Sequence, residues 1–532
     1  MICFFKNLCY NILQQPKLKI FEIIVVADFF GQFFYCEKLT YNKIYGVLKM
    51  KKYDLIVVGM GPGGVFCAYE LIQKNKHKNI LLIEQGRRIE NRNCPIEKTG
   101  KCMKCKPFCS ITSGFSGAGA FSDGKVNSYH LATGVPDNLY MGGNDGPSFR
   151  NALSVDEIKD LFQYTDDIYL KFGGCPELTG LNYKTEIEQM QARAKKENLD
   201  LIYFPIRHLG TEKAHLLYTK LQNYLEENGV EMLFDTTVSD LIIENNEVKG
   251  VKTVSSFTKG EEKEYYADNV CLAVGRKGAD WLSQMCVKYN IENSSGAVDI
   301  GVRYELPDEV MKDVNKYFYE AKFIGHPNPF CDKVRAFCQN PSGFVATEVY
   351  DNNLTLVNGH SYKDKKSTNT NLAILVSHKF KYPFDKPIQY GINVAENLNQ
   401  LGNGNIIVQR LGDIYRGKRT WDYELKNNKV EPTLKTAVAG DITFALGYRT
   451  MTDILQFIRS VDKVVEGFGN PENLLYGPEI KFYSNEIVLD KEFQTSIKNL
   501  YAIGDGPGQT TGLIMSSAAG VQLARFLDKK IK

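Results

Sequence analysis

Tyr53-Asp-Leu-Ile-Val-Val58-Gly59-Met60-Gly61-Pro62-Gly63-Gly64 is the stretch on which the fold turns. Its first six residues are apolar and β-branched enough for a strand buried on both faces of a parallel sheet. Behind the glycines, Val65, Phe66, Ala68, Tyr69, Leu71 and Ile72 recur at helical spacing, and Asn79 to Ile83 makes a second strand ending at Glu84. Strand, glycine turn, helix, strand, acid is the order of a dinucleotide-binding unit. Gly59 permits the tight turn, Gly61 lets a pyrophosphate approach a backbone without a Cβ, and Gly64 lets the helix pack closely on the strand, with Pro62 and Gly63 in the same turn. Phosphates would meet free amides at a helix N-terminus, where the dipole favours negative charge. Glu84 is placed to accept hydrogen bonds from ribose hydroxyls and would oppose a phosphorylated ribose. The turn by itself does not choose between FAD and NAD.

The choice comes from the far end of the chain. Thr495-Ser-Ile-Lys-Asn-Leu-Tyr501-Ala-Ile-Gly504-Asp505 runs from a polar turn through a short apolar strand, and Gly506-Pro-Gly-Gln-Thr-Thr511-Gly512 follows. This resembles the second FAD signature of the glutathione-reductase-like flavoprotein superfamily. The resemblance implies that Gly504 and Asp505 meet the ribityl or phosphate region. It also implies that the helix from Leu513 through Leu527 aims amides of Thr511 and Gly512 at the flavin pyrimidine ring, where donors stabilise negative charge.

Three further stretches narrow the likeness. Gly117 to Lys125, Gly-Ala-Gly-Ala-Phe-Ser-Asp-Gly-Lys, resembles a segment of the bacterial family of uncharacterised FAD-dependent dehydrogenases, as does Asn499 to Gly520; the likeness covers Lys51 to the C-terminus. It implies cofactor contact at Gly119, Ala120, Asp123 and Lys125. Val270 to Arg276 resembles the segment that returns the chain to the FAD domain, with Val274 in place of a threonine before Gly275. Glu231 to Val238 resembles the strand whose following residue clamps adenine, which implies a backbone contact at Val238. The expected fold class is α/β: a Rossmann-type FAD-binding domain assembled from N- and C-terminal parts, with an inserted α+β, strand-rich substrate domain. The expected boundaries are 50–285 for the FAD-binding domain, with a cysteine-containing loop at 88–125, then 286–490 for the substrate or cap domain and 491–532 for the returning part.

Cys94, Cys102, Cys105 and Cys109 fall in that loop. Four soft ligands around a CxxC core can close a zinc site or hold an iron–sulfur cluster. Cys102 and Cys105 can also act as a redox dithiol, which Lys101, Lys104 and Lys106 would favour as thiolates. Reduced thiols without a special role are the remaining reading, and the residues leave all of these open.

Composition bounds the partners. Lys plus Arg total 65 against 62 for Asp plus Glu, so the net charge of +3 makes no broad case for nucleic acid or an anionic membrane. At 532 residues the chain exceeds one ordinary core and can bury a large cofactor. Dispersed cysteines without a secretory signal fit a reducing cytoplasm. The apolar stretch Ile20 to Cys36 is interrupted by Glu22 and Asp28, too short and too charged for a spanning helix. Residues 1–49 contrast with the rest, being aromatic and Ile-rich without Arg. The codons of Gly46-Val47 can hold a purine-rich ribosome-binding sequence ahead of Met50, so the expectation is a non-native leader, the alternative being an extra N-terminal segment.

From Gly278 to Thr495 the pattern is strand-rich with polar turns, including Ala297 to Arg303, Leu354 to Val357 and Leu372 to Val376. Arg303, Arg335, His360, Arg410, Asp413, Arg416 and Arg419 are the polar candidates for a small-molecule substrate, and the basic loop from Arg410 to Arg419 would suit an anionic one. No catalytic residue is assigned. No second glycine fingerprint follows a strand, so a dedicated NAD(P)H-binding domain is not expected, and electrons would reach the flavin from NAD(P)H bound transiently at its face, from the substrate itself or through the cysteines. The expectation is an FAD-dependent oxidoreductase moving hydride through flavin N5. The rival readings are a flavoprotein acting on RNA or a carrier protein, and a flavin or iron–sulfur electron-transfer or sensor protein.

Overall fold

The computed structural model describes residues 51–95, 105–120, 125–131, 153–179, 181–208, 211–258, 260–294, 297–318, 321–349, 354–361, 365–380, 383–384, 386–482, 486–510 and 512–531. The chain from Tyr53 onward is one compact unit. Among these residues no helix is long and apolar enough to cross a membrane.

The opening reading is met in three dimensions. Strand β1 (Lys52–Val58) leads through the glycine turn into helix α1 (Pro62–Lys74), which returns to β2 (Ile80–Ile83). The two strands pair in parallel, Leu55 beside Ile80 and Val58 beside Ile83, with nearly every residue buried, as a strand covered on both faces requires. The sheet runs Glu231–Leu233, β2, β1, Lys263–Leu272, Glu247–Ser255, Thr236–Glu244, with Leu500–Ala502 joining Lys263–Leu272. That last pairing is parallel, Leu500 beside Val270, so the end of the chain completes the sheet its beginning started. The strand Lys263–Leu272 serves twice. Its first half pairs antiparallel with Glu247–Ser255, and its second half lies in the parallel layer.

The C-terminal helix Leu513–Lys530 packs on α1, and glycine makes the close approach possible. A Cβ on Gly520 would stand 2.1 Å from the Gly63 carbonyl oxygen, so no side chain fits there.

The second sheet has eight strands in the order Val438–Ala439, Ile407–Arg410, Leu474–Phe482, Val298–Pro307, Asn369–His378, Val334–Asn340, Ala321–Gly325, Leu199–Tyr203. Its two faces differ because strand side chains alternate. Val298, Ile300, Val302, Tyr304 and Leu306 enter a core with helices Lys184–Lys196, Pro387–Leu401 and Tyr448–Asp462. Asp299, Arg303 and Glu305, all fully buried, occupy the opposite face. At one edge of that opposite face Ile202 and Ile324 belong to the core of the first domain, while Leu474 and Tyr476, beside Arg303 and Glu305, pack against Val345 and Val357 of the hairpin Phe344–Val349 and Thr355–His360.

One feature departs from the expected division of the chain. Leu199–Tyr203, well inside the stretch expected in the FAD domain, pairs antiparallel with Ala321–Gly325 and forms the edge of the second sheet. Its Leu199, Leu201 and Tyr203 bury in the cap core. Period-two alternation marks a strand, but nothing in it says which sheet the strand joins.

Candidate functional site

The glycines of the opening turn divide into two kinds. Gly59 has φ +102° and a Cβ there would stand 2.4 Å from the Ala273 carbonyl oxygen; a Cβ on Gly64 would stand 2.2 Å from the Gly59 carbonyl oxygen. These two are packed, as turn and helix–strand contact require. At Gly61 the nearest atom to an added Cβ is the Ala273 oxygen at 4.0 Å, and at Gly275 (φ +60°) and Gly512 (φ +95°) nothing lies within 4 Å. These three face open space.

Short contacts tie them into one crevice at the C-terminal ends of the parallel strands. Gly117 approaches Gly61, with an added Cβ 3.4 Å from the Gly61 Cα, and the Ser116 N–H donates to the Met60 carbonyl at 2.7 Å. On the other side, a Cβ on Gly506 would meet the Gly275 oxygen at 2.7 Å, and Val274 fills the gap between Gly278 and Gly506. The valine thus packs where a threonine hydroxyl would have offered a hydrogen bond.

Two carboxylates frame the crevice. Glu84 is buried, and its oxygens accept the N–H groups of Met60, Gly86 and Gly114, each at 2.9 Å. A carboxylate offers about four lone-pair directions, so three amides orient this one and leave capacity for a further donor. Asp505 follows Gly504 (φ +86°) and accepts the hydroxyls of Thr510 and Ser516, both at 2.9 Å, while the Gly512 N–H approaches at 3.5 Å. Arg276 stands 3.6 Å from it. The hydroxyls fix the carboxylate against the start of the C-terminal helix.

Sequence reasoning missed two supports. Arg92 is buried beneath the loop and donates to the carbonyls of Ser110 at 2.9 Å, Ile111 at 2.8 Å and Phe115. Burial pulls its guanidinium down to about 10, against the opposing pull of Glu84. Tyr169 and Tyr218 lie under the 3-10 turn Gly117–Ala120, where Tyr169 shares a hydrogen bond with Ser517 at 2.8 Å and a Cβ on Gly119 would press on the Tyr218 hydroxyl. Only a lone arginine and two tyrosines at helical core spacing signalled these groups.

Of the expected cofactor residues, Gly59, Gly61, Pro62, Gly63, Gly64, Glu84, Gly119, Ala120, Gly275, Gly504, Asp505 and Gly512 are brought to this end of the sheet. Val238 lies in the antiparallel strand Thr236–Glu244, whose first N–H donates to the Glu84 carbonyl at 3.0 Å. Lys125 begins a short strand pairing with Ile206–His208. Asp123 and Thr511 lie outside the described residues, as does Cys102. Cys94, Cys105 and Cys109 are free thiols, and among the described residues no group of three or more His, Cys, Asp or Glu side chains could hold a metal.

The polar face of the cap sheet is a network of charge. Arg303 and Glu479, both fully buried, form a two-point pair at 2.8 and 2.7 Å, and Arg303 also donates to the Cys338 carbonyl and Asn358. Asp299 accepts Arg335 and Ser377. Glu305 accepts Thr433 and Tyr476, and burial pushes its carboxyl above the usual range. The basic loop expected to take an anion is instead folded on its own acid: buried Asp413 accepts Arg416 at 2.6 Å and Thr420 at 2.7 Å, with Lys418 and Arg410 at 3.6 and 3.9 Å. His360 ends exposed on the hairpin strand Thr355–His360.

This sheet and the crevice are joined directly. Asn293–Ser294 and Glu486–Ile487, which flank the strands Val298–Pro307 and Leu474–Phe482, pair with each other. Ile487 receives Gln509 at 3.0 Å and donates to Pro507 at 3.2 Å, within the loop that follows Asp505.

Residues 298–481 match the family described as FAD-dependent protein, C-terminal domain-like. The middle of the chain therefore meets the expectation of an FAD-dependent flavoprotein that rested on its two ends. An uncharacterised protein of Clostridium beijerinckii is 22% identical over 502 residues, covering 89% of this chain and 80% of its own. Among solved structures, a formate oxidase variant from Aspergillus oryzae is 13% identical with a TM-score of 0.41, over 90% of this chain and 99% of that one. Pyridoxine 4-oxidase from Mesorbium loti is 11% identical with a TM-score of 0.40, over 89% and 99%.

Proposed function

We propose that the protein is an FAD-dependent oxidoreductase whose organic substrate is held between the glycine-lined crevice and the polar face of the cap sheet. The observation that carries this reading is the crevice itself, where Gly61, Gly275 and Gly512 open onto space at the strand ends while Gly59 and Gly64 are packed. A cofactor with two phosphates and a ribose fits such a cradle.

In this reading the amides at the start of α1 hold the pyrophosphate, and Glu84, oriented by three N–H groups, takes a ribose hydroxyl. Gly504 and Asp505 meet the ribityl or phosphate region, with Thr510 and Ser516 fixing the carboxylate. Gly119, Ala120, Asp123 and Lys125 line the cofactor, Val238 contacts adenine through its backbone, and Thr511 and Gly512 present the helix N-terminus to the ring. When bound, FAD supplies an N5 that exchanges hydride with the substrate. The cap closes the site from water and places the substrate. In this reading NAD(P)H binds transiently at the flavin face as electron donor.

The test is an anaerobic visible spectrum of the purified full-length protein before and after NADH or NADPH, with metal analysis of the same sample. Bound flavin that bleaches supports the reading. A protein that neither retains nor rebinds FAD sinks it.

A further inference from the structure

We propose that the substrate of this site is an organic anion whose negative group docks on Arg335 and Lys481, the two cations flanking Asp299 on the cap sheet; this rests on the flavin reading above. Register places the residues on one face, Lys481, Asp299 and Ser377 in one row and Arg335 one step along beside Leu375. Asp299 lies opposite Lys481 on one side and Ser377 on the other, and Arg335, one strand further, reaches across to the Asp299 carboxylate. Registered partners share a face of a sheet, so all four point the same way.

Three observations put this row at the boundary with the flavin domain. Arg335 is the registered partner of Ile324, which packs into the core of the first domain. Asp299 and Lys481 are each one residue from the strand end, Val298 beside Phe482, and beyond that end Asn293–Ser294 pairs with Glu486–Ile487. That pair docks through Ile487 onto Pro507 and Gln509, in the loop behind Asp505.

The two cations are also held in a manner that suits recognition. The Arg335 side chain keeps 21% of its surface exposed while fully buried Asp299 anchors it, and its guanidinium lies 5.5 Å from the centre of the Phe337 ring. The Lys481 side chain, 18% exposed, is anchored at 3.5 Å by buried Glu479. Cations fixed in advance lose little freedom on meeting an anion, and a guanidinium fork matches a carboxylate.

The experiment titrates the FAD-loaded full chain with sodium benzoate, with inorganic phosphate and with uncharged benzamide, following the flavin absorption bands and measuring flavin content separately. Benzoate should perturb the bands and benzamide should not. Arg335→Met should weaken the benzoate response about tenfold or more, the loss of one charged hydrogen bond, and Lys481→Met should weaken it by a smaller factor. Because Arg335→Met leaves Asp299 buried without its cation, Arg335→Lys is the second variant, expected to fold and to recover part of the response. A response to phosphate in place of benzoate, lost in the same variants, keeps the anion site and assigns it to phosphate esters. Flavin present with no response to either anion, or a response unchanged in all three variants, overturns the inference alone. Absence of flavin overturns it together with the reading beneath it.

Discussion

The crevice and the polar face of the cap are built from opposite materials. At the crevice the chain withholds side chains: Gly61, Gly275 and Gly512 leave space, and in the proposed reading amides and turns would hold the cofactor. On the cap face it buries charged side chains and neutralises them in pairs, Arg303 with Glu479 and Arg335 with Asp299. Backbone recognition tolerates no Cβ but asks little of its neighbours. A buried charge network tolerates substitution only when both partners change, because a lone buried charge is far worse than none.

The largest expected effect tests that second half. Glu479→Gln leaves Arg303 buried against a neutral partner and should cost about 3–5 kcal/mol in urea unfolding, whereas Arg303→Met combined with Glu479→Met should recover most of the loss. If the single and double variants are equally unstable, the pair is not an isolated electrostatic unit. Next come the two kinds of glycine. Gly64→Ala presses a Cβ against the Gly59 carbonyl and should destabilise the apoprotein by about 1–3 kcal/mol, read from its melting temperature. Gly61→Ala should leave the apoprotein within about 0.5 kcal/mol of wild type yet weaken FAD about tenfold or more by filling the phosphate approach. Equal stability losses at both positions would erase the distinction between packed and open glycines.

The smallest effect concerns pH and belongs to the cap. Asp453, fully buried on the helix Tyr448–Asp462, stands beside Asp332, which already takes both arms of Arg449; His378 is nearby, bonded to Thr450 at 3.0 Å. Burial and the Asp332 charge lift the Asp453 carboxyl to about 7. A folded-state value raised above the unfolded one gives stability that is complete at low pH and lost as pH rises through about 7. Wild-type melting temperature should therefore fall between pH 5 and 8, and Asp453→Asn should flatten the slope; an unchanged slope would place the titration elsewhere. In the same surroundings, burial lowers His378 below its usual value, against the opposing pull of Asp332 and Asp299.

The contrast also explains what the sequence could reveal. Gly59, Gly61 and Gly64 announce themselves because a backbone requirement is written as the same residue at fixed spacing beside its own strand and helix. Gly504-Asp505 was legible for the same reason, and the strand Val298–Pro307 from its alternation. Arg303 and Glu479 lie 176 residues apart and meet only because the strands pair, so no local pattern links them. Arg335 and Arg416 looked equivalent as cations. Only the register separates an arginine at the domain boundary from one closing a loop on Asp413. Arg92 was invisible for a related reason, since its partners are carbonyls and any residue has one.

The edge strand Leu199–Tyr203 bears on how such a molecule could be rebuilt. A chimera that exchanged residues 286–490 for the cap of another protein would leave this strand behind. The incoming strand that takes the place of Ala321–Gly325 would then lack the neighbour it was built to pair with, leaving a row of unpaired amides and carbonyls open to other chains. The cap is not a cassette, because the helix and strand within residues 184–203 share its core and its sheet and would have to move with it.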